Sequence, residues 1–268
     1  MANKPKRSTG ATPANPANSR QAKIQAAQKA SGGGGANKIT IAGIVAVLAI
    51  IAIVGGVIWS QQKSKTDAGS GNTKPPAAAT VDGGYRAFAD VSAKPNAPVV
   101  TVFEDFQCPA CKGMESAIGS TISGLAKSGD IQLNYHLMNF LDDKTGAKQS
   151  TPVANAAFCA ADQGKWQEFH DAAYAGQIAE GQSISTAQLE AFAKTAGLTG
   201  TALEDWRKCS DAGKYNAYIA DSNNSAGKAG VTGTPTIKIG DTMYSGDTLA
   251  PLATPEAFTK AIADATKG

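Results

Sequence analysis

The sequence predicts an α/β domain with a large helical block inside it, preceded by a single transmembrane helix. Three observations carry this prediction. An uncharged run of 21 residues, 39–59, follows a basic tail. Short β-branched runs lie on both sides of a long segment with apolar residues at helical spacing. The chain has 268 residues, which is enough for one large domain with a sizeable core.

The net charge of +3 averages two different regions. Residues 1–38 contain seven Lys or Arg and no Asp or Glu, which leaves 18 basic and 22 acidic side chains, a net −4, in the remainder. The mild overall charge argues against a nucleic-acid-binding protein. The first 38 residues are rich in Pro, Asn, Ala and Gly, so we expect them to form a disordered cytoplasmic tail.

Residues 39–59 are expected to be a retained signal-anchor. As a helix they would measure about 31 Å, and a bilayer core is about 30 Å thick. A cleaved signal peptide is the alternative, but its apolar region is shorter and a small-residue cleavage site follows closely. The nearest such pattern, Ala77 to Ala79, lies well beyond this run. The basic tail keeps the N-terminus in the cytoplasm and puts the rest of the chain outside.

Residues 60–80 are rich in Ser, Gly, Asn, Pro and Ala, which is typical of a flexible linker. The globular domain is expected to span residues 81–268. A β-branched run at residues 98–103 predicts a buried strand, and residues 131–140 alternate well enough for a second one. The apolar side chains of the helix predicted between them are Met114, Ile118, Ile122 and Leu125.

A helical insertion is predicted over about residues 145–228, where apolar residues recur every three to four positions. Ser185 and Gln188 have the spacing of a capping box for one of its helices. The aromatic residues expected in its core are Trp166, Phe169, Phe192 and Trp206.

After this block the chain returns to strand-forming residues. Residues 236–239 and 242–245 flank a Gly-Asp turn signal, which predicts a β-hairpin. Thr254 followed by Pro255 predicts the N-cap and the first position of a final helix.

The sequence Cys108-Pro109-Ala110-Cys111 stands where the first strand meets its helix. Cys108 is expected at the helix N-terminus, where free N–H groups and the helix dipole stabilise a thiolate. Pro109 suits the first helical position because it has no N–H to leave unpaired. Cys111 lies on the same helical face, so the two thiols can pass two electrons by thiol–disulfide exchange.

Two other interpretations of this motif are open. It could be half of a zinc site completed by Cys159 and Cys209, but the chain offers no second CxxC and no nearby His pair. It could also be a purely structural bridge, although so tight a loop would be strained and easily reduced. Redox chemistry is therefore favoured, and neither a metal nor a cofactor is expected.

Two segments resemble the DsbA-like branch of the thioredoxin superfamily. Residues 99–111 read VVTVFEDFQCPAC, a strand that leads into the cysteine motif, and residues 233–236 read GTPT. The resemblance covers about residues 85–265 and implies a thioredoxin-like fold with an inserted α-helical domain. The long separation between Cys111 and Pro235 is consistent with such an insertion.

The resemblance also implies catalytic roles for four residues. Cys108 and Cys111 are the redox pair, Pro235 is the cis-proline that lies against the two sulfurs, and Thr234 is the residue before it. A cis X-Pro bond would leave the backbone of Thr234 free to pair with an extended substrate. An ordinary trans turn is the alternative for Pro235.

Glu104 and Asp105 precede the cysteine motif, and a partly buried carboxylate there could relay a proton for Cys111. Strand alternation lets only one of the two face inward; Asp105 is favoured slightly over Glu104, and a solvated acidic pair is the alternative. Oxidases of the family carry Pro-His between the cysteines, whereas this chain has Pro-Ala, which puts strong oxidising power in question. His136 and His170 are expected to be structural.

Cys159 and Cys209 fall in different parts of the helical block. Disulfides persist outside the cytoplasm, so a structural bridge between these two cysteines is expected there. Two free thiols are the alternative.

These expectations combine into a membrane-tethered extracytoplasmic thiol:disulfide oxidoreductase, single-pass in the cell membrane. The favoured activity is a protein disulfide oxidase for secreted or cell-envelope proteins with cysteines. The resemblance alone implies a quinone-linked membrane redox partner that reoxidises the pair. The alternatives are a reductase or isomerase of the same fold, or a noncatalytic surface-anchored peptide-binding module.

Overall fold

The structure is a computed structural model that describes Met1 and residues 74–267. The predicted cytoplasmic tail, the predicted anchor at residues 39–59 and most of the predicted linker lie outside these residues. Within the described part of the chain, no helix combines the length and the hydropathy needed to span a bilayer.

A single mixed sheet of six strands organises the domain. Its spatial order is β1-β2-β4-β3-β5-β6. β3 and β4 are parallel, and every other neighbouring pair is antiparallel. Val100 and Val102 on β3 are fully buried, as expected for a strand in the middle of a sheet. The strands are β1 Ala79–Thr80, β2 Gly84–Arg86, β3 Val99–Glu104, β4 Gln132–Leu137, β5 Thr236–Ile239 and β6 Thr242–Ser245.

Helices fill the connections of this sheet. The first two flank a π-helical turn at Glu115–Gly119, and six of the nine α-helices described here come between β4 and β5. Two short 3₁₀ turns, Gly246–Thr248 and Ala250–Leu252, precede the last helix. The helices are α1 Pro109–Met114, α2 Ser120–Lys127, α3 Phe140–Thr145, α4 Ser150–Ala161, α5 Trp166–Ala175, α6 Thr186–Thr195, α7 Gly200–Asp211, α8 Asn216–Lys228 and α9 Pro255–Ala265.

The observed boundaries differ from the predicted ones at three places. Ala79 and Thr80, assigned to the linker, form β1 and pair with the unpredicted strand β2. Strands of two or three residues are too short to show a periodicity, which is why the sequence did not reveal them. The strand predicted at residues 131–140 ends at Leu137, and the helical block begins at Phe140 rather than at about residue 145.

Several local predictions are confirmed. Ser185 and Gln188 form both hydrogen bonds of a capping box at the start of α6, and Thr254 accepts the backbone N–H of Ala257 at the start of α9. The four aromatic residues expected in the core of the helical block are buried. The disulfide predicted between Cys159 and Cys209 is present and joins α4 to α7. It excludes the alternative of two free thiols.

Candidate active site

Strand β3 leads to the cysteine motif, and helix α1 begins within this motif at Pro109. Cys108 is the N-cap, with extended backbone angles of φ −78° and ψ 117°, and Pro109 occupies the first turn as predicted. Cys108 and Cys111 are free thiols. Their exposed fractions are only 1% and 0%, so solvent exposure does not identify them as reactive thiols.

The surroundings separate the acidities of the two thiols. A hydrogen bond from the Cys111 thiol lowers the pKa of Cys108 despite burial, and the backbone N–H groups of Cys111 and Ala110 act in the same direction. Burial raises the pKa of Cys111 well above its ordinary value, and the nearby Cys108 raises it further. Cys108 is therefore the thiol that ionises first, as a nucleophile or leaving group requires.

The loop before β5 closes over the cysteines. The peptide bond between Thr234 and Pro235 is cis, as predicted. The Cys108 thiol donates to the Thr234 carbonyl with an Sγ–O distance of 3.5 Å, although the residues are 126 positions apart. The fold thus brings together Cys108, Cys111, Thr234 and Pro235, the four residues predicted to share this site.

A family model described as thioredoxin matches residues 91–264, about two thirds of the chain. The chain belongs to the thioredoxin family.

Solved structures place this thioredoxin-family domain more narrowly. A DsbG disulfide oxidoreductase from Mycobacterium tuberculosis, in its reduced form, is 28% identical with a TM-score of 0.54, over 67% of this chain and 85% of that one. The oxidised DsbA of the same organism is 28% identical with a TM-score of 0.53, over 67% and 90%. MdbA from Actinomyces oris, 20% identical with a TM-score of 0.58 over 77% and 98%, shares the fold. The domain is a thiol–disulfide oxidoreductase domain of the DsbA type.

Curated relatives match a shorter segment. The serine/threonine-protein kinase PknE of Mycobacterium tuberculosis is 24% identical over 144 residues, which are 51% of this chain and 25% of the kinase. The chain thus spans about a quarter of the length of the curated relatives it matches.

Both carboxylates that precede the motif in this thioredoxin-family domain are buried. Glu104 and Asp105 are each 0% exposed, so neither the one-inward prediction nor the solvated pair is correct. Alternation does not apply because β3 ends at Glu104 and Asp105 lies in the loop beyond it. The Asp105 carboxylate accepts backbone N–H groups from Gln107 at 2.8 Å and Leu141 at 3.3 Å. Asp105 therefore holds the loop in place.

Glu104 has a different environment. Its Oε2 accepts a hydrogen bond from Nε2 of His170 at 2.8 Å, with both side chains fully buried. Burial lowers the pKa of His170, but the charge of Glu104 and the contact with Asp171 outweigh this effect and raise it to about 10. The charge of Glu104 also raises the pKa of Cys111. A backbone hydrogen bond from Asp105 acts on Cys111 in the opposite direction and lowers its pKa. Burial raises the pKa of the Asp105 carboxyl group itself well above its ordinary value.

His170 was expected to be structural because it falls on the apolar stripe of its helix, with no signal that pairs it with Glu104. Glu104, Glu115 and His170 each place one atom that could ligate a metal, and these three atoms lie within 4.8 Å of one another. Within this group, Nε2 of His170 is hydrogen-bonded to the Glu104 carboxylate. The zinc alternative for the cysteines is wrong, because Cys159 and Cys209 are bonded to each other.

Glutamine side chains attach the helical block to the backbone around the cysteine motif. The side-chain amide of Gln177, just after α5, donates to the carbonyls of Phe106 at 2.8 Å and Cys108 at 3.0 Å. The side-chain carbonyl of Gln107 accepts the backbone N–H of Gly181 at 2.8 Å. The helical block therefore fixes the backbone on which Cys108 sits. Sequence reasoning missed both glutamines because each contact spans about seventy residues.

Proposed function

We propose that the protein is a disulfide oxidase that introduces disulfides into secreted or cell-envelope proteins. The observation that carries the proposal is the opposite shift of the two thiol pKa values, lowered at Cys108 and raised at Cys111. A stabilised Cys108 thiolate lowers the free energy of the reduced pair. The same thiolate is also a good leaving group. Both effects make the corresponding disulfide more oxidising.

The proposed reaction runs in two exchanges. A substrate thiolate attacks Sγ of Cys108, the Cys108–Cys111 bond breaks, and Cys111 leaves with the electron pair and takes a proton. A second substrate thiolate attacks the sulfur joined to Cys108, which expels the Cys108 thiolate. The substrate loses two electrons and gains a disulfide, and the domain holds the reduced pair.

Substrate binding is assigned to the loop of Thr234 and Pro235. The Thr234 carbonyl lies 3.5 Å from Sγ of Cys108, so a peptide that paired with this backbone would be next to the reacting sulfur.

An oxidation assay tests the direction of transfer. Full-length protein with an oxidised Cys108–Cys111 pair is mixed with a reduced, unfolded protein whose native state has disulfides. We expect stoichiometric disulfide formation in that substrate and none with Cys108→Ser. A reduction potential near that of thioredoxin, about −270 mV, would contradict the oxidase and favour the reductase. A Cys108→Ser variant that kept the cellular activity would favour the noncatalytic peptide-binding module.

Membrane tethering is the second part of the proposal, and the uncharged run at residues 39–59 after seven basic residues supports it. In cells that express the full chain, we expect it to resist alkaline extraction from membranes. Protease added outside the cytoplasmic membrane should remove the cysteine domain and leave the basic tail. Extraction of the intact chain, or protection of the domain, would contradict the anchor or its orientation.

Each catalytic cycle leaves the pair reduced by two electrons, so turnover needs an oxidant. The resemblance to the DsbA-like branch favours a quinone-linked membrane partner. We expect Cys108 and Cys111 to accumulate as thiols in cells depleted of quinone. Unchanged oxidation of the pair in those cells would exclude a quinone-linked partner.

A further inference from the structure

A tight turn at residues 105–108 carries the chain from β3 to Cys108. The backbone N–H of Cys108 donates to the Asp105 carbonyl at 2.9 Å, and the backbone N–H of Gln107 donates to Oδ1 of Asp105 at 2.8 Å. These two hydrogen bonds define the shape of the turn. They do not fix its position against the rest of the domain, because both partners belong to the turn itself.

The Gln107 side chain provides the attachment that the turn lacks. It is 0% exposed. Its amide group donates to Oδ1 of Asp142 at 3.3 Å and to Oγ of Ser150 at 3.2 Å. Its carbonyl oxygen accepts from the Thr145 hydroxyl at 2.9 Å and from the backbone N–H of Gly181 at 2.8 Å. A glutamine offers two donors and two lone pairs, so its full hydrogen-bonding capacity is used here.

The four partners of Gln107 belong to three segments of the helical block, namely α3, the start of α4 and the loop between α5 and α6. Oδ1 of Asp142 also accepts the backbone N–H groups of Gln149 at 2.9 Å and Ser150 at 2.8 Å. The oxygen that holds the Gln107 amide therefore also caps α4. A shift of any of these helix ends would pull on the residue next to Cys108.

The reactivity of Cys108 depends on where its sulfur lies. The groups that lower the pKa of Cys108 most are the Cys111 thiol, then Thr234, then the backbone N–H groups of Cys111 and Ala110. All of these are hydrogen-bonding dipoles, whose effect weakens steeply with distance and angle. Ala110 contributes its backbone alone, since its methyl group cannot form a hydrogen bond. A small displacement of the turn would therefore weaken several stabilising contacts at once.

We propose that Gln107 is a positioning residue for Cys108. Its side chain ties the turn to the helical block and thereby keeps Sγ of Cys108 at the N-terminus of α1, beside the Thr234 carbonyl. The helical block thus contributes to the redox potential of the cysteine pair through one buried amide group, without touching either sulfur. This role requires the proposed exchange at Cys108 but not its direction.

The test uses three variants of the full-length protein. Gln107→Leu keeps a side chain of similar size and removes all four hydrogen bonds. Thr145→Val leaves Gln107 intact and removes the hydroxyl group that donates to its carbonyl oxygen. Gln188→Leu is the matched control, because this glutamine lies in the same helical block but hydrogen-bonds to Ser185 in the capping box of α6.

The first measurement is the redox equilibrium of Cys108–Cys111 with glutathione. We expect Gln107→Leu to make the pair less oxidising by about 10-fold, the low end of what one hydrogen bond to a charged group contributes. This change corresponds to a potential about 30 mV more negative. Thr145→Val should shift the equilibrium in the same direction by less, and Gln188→Leu should match the wild type.

The second measurement is the rate at which iodoacetamide alkylates Cys108 in the reduced protein at neutral pH. It should fall about 10-fold in Gln107→Leu, because less of the thiol is ionised. Urea unfolding of the same samples should show a loss of stability in both glutamine variants. A purely structural role for Gln107 would lower stability without moving the potential or the alkylation rate.

A wild-type potential and alkylation rate in folded Gln107→Leu would overturn the proposal, and so would an equal shift in Gln188→Leu. If Gln107→Leu does not fold, an unchanged potential in Thr145→Val overturns it instead. A thioredoxin-like potential in the wild type would contradict the oxidase alone. The difference between variant and wild type would still measure the role of Gln107, so the two failures are distinguishable.

Discussion

Cys108–Cys111 and Cys159–Cys209 lie in one domain, yet their surroundings prepare them for different tasks. Cys159 is as buried as Cys108 and Cys111, whereas Cys209 is half-buried, so the reactive pair is not the more exposed one. The first pair spans one turn at a helix N-terminus, and its thiols have opposite pKa shifts. The second pair joins two helices across 50 residues. Local electrostatics, rather than accessibility, distinguishes the reactive pair from the structural one.

The largest expected effect comes from the first pair. Cys108→Ser should abolish thiol–disulfide exchange, because no sulfur remains to receive the substrate thiolate. Cys111→Ser should instead accumulate a mixed disulfide between Cys108 and the substrate. Non-reducing electrophoresis of the reaction mixture checks both outcomes, and an active Cys108→Ser variant would place the chemistry elsewhere.

The second pair should affect stability and not chemistry. A Cys159→Ala/Cys209→Ala variant should lose about 4 kcal/mol of unfolding free energy, the loop-closure value for about 50 residues. Its exchange rate at 25 °C should stay close to that of the wild type. Urea unfolding and an exchange assay on the same samples measure the two effects separately. A large loss of exchange in the folded variant would contradict a purely structural role for this disulfide.

The reactivity of Cys108 toward alkylation should depend on pH differently from that of Cys111. Iodoacetamide reacts with thiolates, so Cys108 should be modified below the ordinary thiol pKa and Cys111 only well above it. The lowered folded-state pKa of Cys108 contributes stability to the reduced form that is complete above the unfolded pKa, whereas the raised pKa of Cys111 contributes the opposite sign there. This stabilisation is lost as pH falls through the folded pKa.

Mass spectrometry of each alkylated cysteine across a pH series checks the order of reaction. Urea unfolding of the reduced form over the same series checks the sign of the stability change. Equal reactivity of Cys108 and Cys111 would contradict their opposite pKa shifts, which are what distinguish this pair from Cys159–Cys209.

The smallest effect is expected where the helical block contacts the motif. Gln177→Ala removes two hydrogen bonds to the backbone around Cys108, so it should lower the unfolding free energy by about 1–2 kcal/mol. It should slow exchange only moderately. Gln182→Ala is the control because this residue is exposed in the same loop. Equal effects of the two substitutions would contradict the positioning role of Gln177.

Features that depend on neighbours in sequence were predictable from the chain alone. The buried strand β3, the position of Cys108 at the start of α1 and the capping box at Ser185 each have a local pattern that the fold retains. The cis bond before Pro235 was predictable from the family resemblance, because a Thr-Pro pair by itself also suits an ordinary turn.

Features that depend on distant contacts were not predictable. Glu104 meets His170 across 66 residues, and each alone looks like an ordinary member of its strand or helix. Gly119 leaves space for the Glu115 carboxyl group, because a Cβ at this position would clash with Oε2 of Glu115. The buried carboxylate of Asp105 accepts a hydrogen bond from the backbone of Leu141, which belongs to another element. Tertiary packing brings such residues together, and the periodicity of the sequence does not reveal these contacts.

A redox titration of the full-length protein in glutathione buffers, with mass-spectrometric assignment of each cysteine, tests the difference between the pairs most directly. We predict that Cys108–Cys111 is reduced at a potential above about −200 mV. Cys159–Cys209 should stay oxidised to below about −300 mV, as structural disulfides do. Reduction of both pairs at one potential, or of Cys159–Cys209 first, would contradict the account.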